Sequence, residues 1–212
     1  MKINNPKYIS FYIDENFEFI LTQIYSCYKM MLKNYSFIEN NENKIKNRLY
    51  KDYLNNQNIR NKLELNDFLF RTESATVNDN YDEQGYSDIE IIDLKGSLTS
   101  TEAYYIIECK KLDDENPHHK GSLNNKYISE GINRFIEEKY PTHHNVNGMI
   151  AFVVKSIDIG INCNHFKDLK EHPFIKGLDF SYRSNHCTTS GKKITLYHLM
   201  LDFSSKINPS LN

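Results

Sequence analysis

The segment Ala103–Leu112, AYYIIECKKL, reads as a β-strand that ends in charge. Successive strand residues alternate between faces, so Tyr104, Ile106, Glu108 and Lys110 share one side while Tyr105, Ile107 and Cys109 share the other. Ile106 and Ile107 are both apolar, which predicts a strand covered on both faces. A charged pair at the end of such a strand needs partners or a ligand. Taken alone, Glu108-Cys109-Lys110 reads more simply as a strand running out into solvent, and the sequence upstream has to separate the two readings.

Upstream, SDIEIIDLK (87–95) is strand-like through Ile89, Ile91 and Ile92, and the linker GSLTS (96–100) is short, so the two strands are expected to form an antiparallel hairpin. If the turn centres on Leu98, Gly96 faces Ser100, Lys95 faces Thr101, and Asp88 faces Glu108 with their Cβ atoms about 5 Å apart. Two carboxylates placed directly opposite each other destabilise a strand pair, and a cation between them removes that objection.

The other segments supply the order of elements. DENFEFILTQIYSCYKMML (14–32) places Phe17, Ile20, Leu21, Ile24, Tyr28, Met31 and Leu32 on one helical stripe, with Asp14 as the expected N-cap. A polar break at Asn40 and Asn41 precedes ENKIKNRLYKDYL (42–54), where Glu42 shares the inward face with Ile45, Leu49 and Tyr53. DFLFRTES (67–74) reads as a strand. NKYISEGINRFIEEKY (125–140) reads as a helix with Ile128, Ile132, Phe135 and Ile136 on its apolar side, stopped by Pro141. GMIAFVVKS (148–156) is a continuous apolar strand, so strand, helix and strand predict a right-handed parallel crossover. HFKDLKEH (165–172) reads as a short helix, and LDFSYRS (178–184) with KKITLYHLMLDF (192–203) as a closing antiparallel pair. The expected division is an amino-terminal helical arm over 1–40 and one domain over 41–212.

Composition limits the function classes. The chain has 212 residues, with 26 Lys+Arg against 28 Asp+Glu and a formal charge of −2, so any grip on a polyanion must be local. Cys27, Cys109, Cys163 and Cys187 follow no disulfide-scaffold spacing, and neither a signal peptide nor an apolar run long enough to span a membrane is present, which predicts a reduced, cytoplasmic protein. No Walker loop, Rossmann glycine fingerprint or nucleophile elbow occurs. Cys163, His165, His186 and Cys187 lack the C-x2-C or H-x3-H spacing of a structural zinc site and read as buried or edge residues.

A helix (42–54), three strands, a helix (125–140) and a fourth strand, with Asp88 in GYSDIEI and Glu108-Cys109-Lys110 in IIECKK, resemble the PD-(D/E)XK nuclease superfamily. The resemblance spans roughly residues 42–155 in element order and a handful of positions in motif; Ser87 stands where the motif has proline. It implies an α/β restriction-endonuclease-like core (helix, three-stranded antiparallel meander, crossover helix, parallel strand) with a β-rich carboxy-terminal extension. It also implies Mg²⁺-dependent hydrolysis of phosphodiesters, with Mn²⁺ as a substitute, by a DNA endonuclease of the kind found in bacterial restriction or phage defence. Asp88, Glu108 and the main-chain carbonyl of Cys109 are then the expected metal ligands. Lys110 handles the water and the developing charge, and Glu42, with Glu39 behind it, is the acid expected from the preceding helix. On the crossover helix Arg134 is the expected phosphate clamp, and Lys126 and Tyr127 are further substrate contacts, where a solvated helix face is the plainer account. The rival readings are a nucleic-acid-binding or assembly module that keeps the fold without turnover, and an RNase on the same scaffold. One site cuts one strand, so a second copy or a partner protein is expected, with the 14–32 stripe as its surface or, as simply, as part of the core.

Overall fold

The alternating strands assemble into one seven-stranded mixed sheet whose order in space is 68–77, 83–93, 104–112, 146–153, 193–202, 181–187, 170–171. In this computed structural model, residues 6–77, 83–98, 100, 104–140 and 144–207 are described, with side chains from residue 13 onward except at 76–77 and 83–84. Helix α1 (Pro6–Asn34) leads to α2 (Glu42–Arg48), which continues through a π-helical stretch (Leu49–Leu54), and then α3 (Gln57–Lys62). The strands β1 (Phe68–Val77), β2 (Glu83–Asp93) and β3 (Tyr104–Leu112) form an antiparallel meander. The crossover runs through α4 (Leu123–Lys126), a π-helical stretch (Tyr127–Ile132) and α5 (Asn133–Ile136) into β4 (Val146–Val153), which is parallel to β3. Helix α6 (Ile159–Cys163), β5 (Lys170–Glu171), β6 (Ser181–Cys187) and β7 (Lys193–Asp202) complete the chain, and β6 and β7 pair antiparallel as expected. β7 continues the sheet beside β4 in parallel, a connection that the pattern of β6 and β7 alone did not specify.

Each face of the sheet is covered, as the paired Ile106 and Ile107 require. One core joins Tyr105, Ile107 and Cys109 to the stripes of α1 and α2, and the other joins Ile106 and Leu112 to Tyr127, Ile132 and Phe135 of the crossover. The α1 stripe packs into the first core: Phe17, Ile20, Leu21, Ile24 and Met31 have no exposed surface, and Phe17 stacks on Tyr105 with ring centroids 4.8 Å apart. Burying such side chains contributes about 1.5–3 kcal/mol each. The stripe is therefore core and not a docking surface. The helix also begins at Pro6, a favoured first-turn residue, so Asp14 lies inside it and is not its N-cap. The expected helix over 165–172 is instead a turn leading into β5, with α6 preceding it. Pro141, the expected stop, lies outside the described residues; the crossover helix ends at Ile136.

On the crossover side a buried polar chain links helix to sheet. Tyr127 Oη lies 2.8 Å from His198 Nδ1, and Ser184 Oγ lies 2.7 Å from both His198 Nε2 and His186 Nε2. Burial, helped by His186, pushes the His198 pKa down from 6.5 to about 3. The unfolded chain therefore binds the extra proton between those values, and stability present above pH 6.5 is lost as the pH falls. Melting temperature is expected to drop between pH 7 and pH 5, with His198 contributing up to about 1.4 kcal/mol per pH unit. His198→Gln should flatten that slope; a slope unchanged in the variant would assign the effect to other groups.

Candidate active site

The hairpin register is the one that the linker predicts. Ile89 pairs with Ile107, Glu90 with Ile106, Ile91 with Tyr105 and Ile92 with Tyr104, and one further step in that register sets Asp88 beside Glu108. Nearest the turn, the Ser100 N–H donates to the Gly96 carbonyl at 3.1 Å, and the next expected pair, Lys95 with Thr101, involves a residue outside the described ones. At Asp88 the ladder ends: the Cys109 backbone N–H donates to Asp88 Oδ2 at 2.8 Å in place of a strand carbonyl. A side chain thus takes over a backbone hydrogen bond where the two strands part, and the opening between them exposes the ends of both carboxylates to their neighbours.

Lys110 is the centre of the cluster. Its ammonium lies 2.6 Å from Glu108 Oε1, 3.1 Å from the Cys109 carbonyl, 3.6 Å from Glu42 Oε1 and 4.0 Å from Asp88 Oδ2. Four oxygens from three elements converge on one nitrogen. Burial works against the Lys110 charge, but Glu108, Glu42 and Asp88 outweigh it and hold its pKa above the ordinary lysine value. Glu42 is held in place by its other oxygen, which accepts the Lys111 backbone N–H at 2.8 Å, and α2 is anchored by Asn41, whose side chain accepts from Lys44 N. Glu39 does not join; it pairs with Lys44 and Arg48.

Glu108 has no exposed surface and is held on both oxygens. Oε1 also receives Arg134 Nη1 at 3.0 Å, and Oε2 accepts the Tyr140 hydroxyl at 2.7 Å. Arg134 Nη1 donates its second hydrogen bond to Tyr140 Oη at 2.8 Å. Burial first, then Asp88, raises the Glu108 pKa, while Lys110 and Tyr140 pull against that shift. Asp88 is held too: Lys46, itself buried, donates to Oδ1 at 2.8 Å. The repulsion expected of the facing carboxylates is thus offset by Lys46, Lys110 and Arg134, three cations that the protein supplies.

Asp88, Glu108, Lys110, Glu42 and Arg134 are brought together, and the Cys109 carbonyl faces the same point while its thiol is buried on the other side of the sheet. Lys126 lines a cleft of about 330 Å³ that opens onto the cluster, together with Asn40, Glu42, Lys110, Lys111 and Glu130. Tyr127 is a correction. It is wholly buried against His198, because the π-helical turn inserts one residue and rotates it off the face that a 3.6-residue period assigns. Gly131 lets this turn sit close to the sheet: a Cβ there would come 2.4 Å from Met149 Cε. Lys46 and Tyr140 were missed. Lys46 stands four residues after Glu42 and so shares its helix face, a signal that was available; Tyr140 follows the helix and carried none.

Oxygen donors of this kind suit a hard divalent cation. Among the described residues no three His, Cys, Asp or Glu side chains are gathered as a ready ligand set, because Lys46 and Lys110 stand between the carboxylates. Cys163 is buried, Cys187 is exposed, and His186 is bonded to Ser184. No described helix is long and apolar enough to cross a membrane. Searches of protein-family models, curated proteins and solved structures find no match to this chain.

Proposed function

We propose that the chain is a metal-dependent nuclease, with roughly residues 42–155 as a restriction-endonuclease-like core and Asp88, Glu108 and Lys110 at its catalytic centre. The observation that supports this most directly is the convergence of Glu42, Asp88, Glu108 and the Cys109 carbonyl, from two strands and a helix, on the Lys110 ammonium. Asp88, Glu108 and the Cys109 carbonyl would hold Mg²⁺, or Mn²⁺ in its place. A bound Mg²⁺ supplies charge neutralisation at the phosphate and eases deprotonation of the attacking water. Lys110, freed from Glu108, orients that water and stabilises the charge that develops on the phosphate oxygens. Arg134 keeps guanidinium donors beyond the Nη1 pair and clamps a phosphate oxygen. Lys126 and Lys111, in the cleft beside Glu42, give the local cationic grip that a chain of net charge −2 otherwise lacks. DNA is the proposed substrate, with a second copy or a partner supplying the second strand's cut, in a cytoplasmic setting of the restriction or phage-defence kind.

Incubation with supercoiled plasmid, linear DNA and RNA, each with Mg²⁺, Mn²⁺ or EDTA, tests the reading. Metal-dependent nicking of plasmid is the expected result. Cleavage of RNA alone would move the activity to the RNase reading, and binding without cleavage under any metal would favour the module without turnover.

A further inference from the structure

Both oxygens of Asp88 are occupied by the protein itself: Oδ2 by the Cys109 N–H and Oδ1 by the Lys46 ammonium, each at 2.8 Å. Lys46 is only 2% exposed, a depth at which an ammonium is found only when paired. It lies in the last turn of α2, a short helix whose start is fixed by the Asn41 cap and by the bond between Glu42 and the Lys111 backbone. The cluster is also balanced. Leaving aside the solvent-facing Glu73 beside Lys46, Asp88, Glu108 and Glu42 carry three negative charges, and Lys46, Lys110 and Arg134 carry three positive ones. A divalent cation entering this site meets no net attraction and has to displace an ammonium from a buried ion pair.

A second station for that ammonium stands next to the first. Glu73 Oε1 is 3.6 Å from Lys46 Nζ, and the Glu73 side chain is 64% exposed. In β1 the register passes from Thr72 paired with Ile89 to Ser74 paired with Ser87, so Glu73 is the residue opposite Asp88. Its φ is +55°, in the left-handed region that a glutamate within a strand rarely adopts. Backbone strain of this kind persists where the surroundings impose it and concentrates at functional sites. Here it puts a solvent-facing carboxylate within reach of Lys46 directly across from the carboxylate that Lys46 now holds.

We propose that Lys46 is a displaceable counter-ion, a positioning residue that keeps Asp88 closed to a divalent cation until a phosphodiester binds, so that metal and nucleic acid bind cooperatively; this rests on the site reading above. The substrate phosphate brings the negative charge that the neutral cluster lacks, and Glu73 receives the ammonium as it leaves Asp88. By linkage, whatever factor nucleic acid adds to metal affinity, metal adds to nucleic-acid affinity.

Calorimetric titration of Ca²⁺ into the full chain, alone and with a short duplex DNA or a short single-stranded RNA, tests this. In the wild type either the DNA or the RNA should strengthen Ca²⁺ binding by about tenfold, within the usual range of coupling between sites. Lys46→Met should gain about the same factor without nucleic acid and lose most of the coupling, while Lys46→Arg, which keeps the charge, should behave as the wild type. Melting curves establish that each variant is folded, and if Lys46→Met is not, Lys46→Gln carries the same expectation. Equal Ca²⁺ affinity in wild type and Lys46→Met would overturn the role of Lys46 and leave the metal site standing. Tighter binding in the variant with no effect of either nucleic acid on the wild type would overturn the cooperativity. Absence of Ca²⁺ binding in every folded protein under every condition would overturn the site reading itself, and the proposal with it.

Discussion

Replacement of Lys110 by methionine is expected to lower the rate of phosphodiester cleavage by about 10²–10⁴-fold, the range typical of losing a proton-transfer or charge-stabilising group. Methionine fills the volume of the lysine stem, which packs against the crossover helix near Gly131. Glu108 keeps Arg134 and Tyr140 as partners, so the variant should fold. Divalent-cation affinity should not fall, because the lysine is no ligand and its departure leaves four oxygens around an uncharged side chain. Single-turnover cleavage with Mg²⁺, alongside Ca²⁺ calorimetry, separates the two effects. Wild-type cleavage in Lys110→Met would remove the lysine from catalysis; lost metal binding with lost cleavage would make it part of the ligand set.

The second large effect is on stability. Glu108→Ala removes the shared partner of Lys110, Arg134 and Tyr140 from a position with no solvent exposure, and leaves the Lys110 ammonium buried beside weaker contacts. Breaking one side of a buried charge network costs about 3–5 kcal/mol, so a marked fall in the denaturant midpoint is expected together with loss of cleavage. Glu108→Gln keeps the shape and an acceptor oxygen, and should recover much of the stability while remaining inactive. If Glu108→Ala proves as stable as the wild type, the network is not what holds this end of the sheet, and if Glu108→Gln cleaves normally, the carboxylate is not needed for chemistry.

The sequence carried the pairing of Asp88 with Glu108 because both facts behind it are local. A strand repeats every two residues, and a linker as short as 96–100 leaves few registers for the hairpin; the observed pairs Ile89–Ile107 and Ile92–Tyr104 follow that register. Glu42 and Arg134 were legible from helix faces for the same reason, and Lys46 could have been, at four residues from Glu42. Tyr127 was misplaced where periodicity failed, since the π-helical turn that begins at Tyr127 puts it on the same face as Ile132, five residues on.

By itself, then, the sequence determined the strands and helices around the site, the hairpin register, the parallel crossover and the grouping of Asp88, Glu108 and Lys110, all of which follow from short-range covalent geometry and the alternation of apolar residues. The tertiary structure alone decided that α1 lies in the core, that β7 continues the sheet beside β4, and that Lys46, Tyr140 and the strained Glu73 surround the carboxylates. Those placements depend on which surfaces of separate elements meet, from the 32 residues between Tyr140 and Glu108 to the 42 between Lys46 and Asp88. Burial of apolar surface places α1, and the demand that buried polar groups find partners places Lys46 and Tyr140, conditions that no single segment can state.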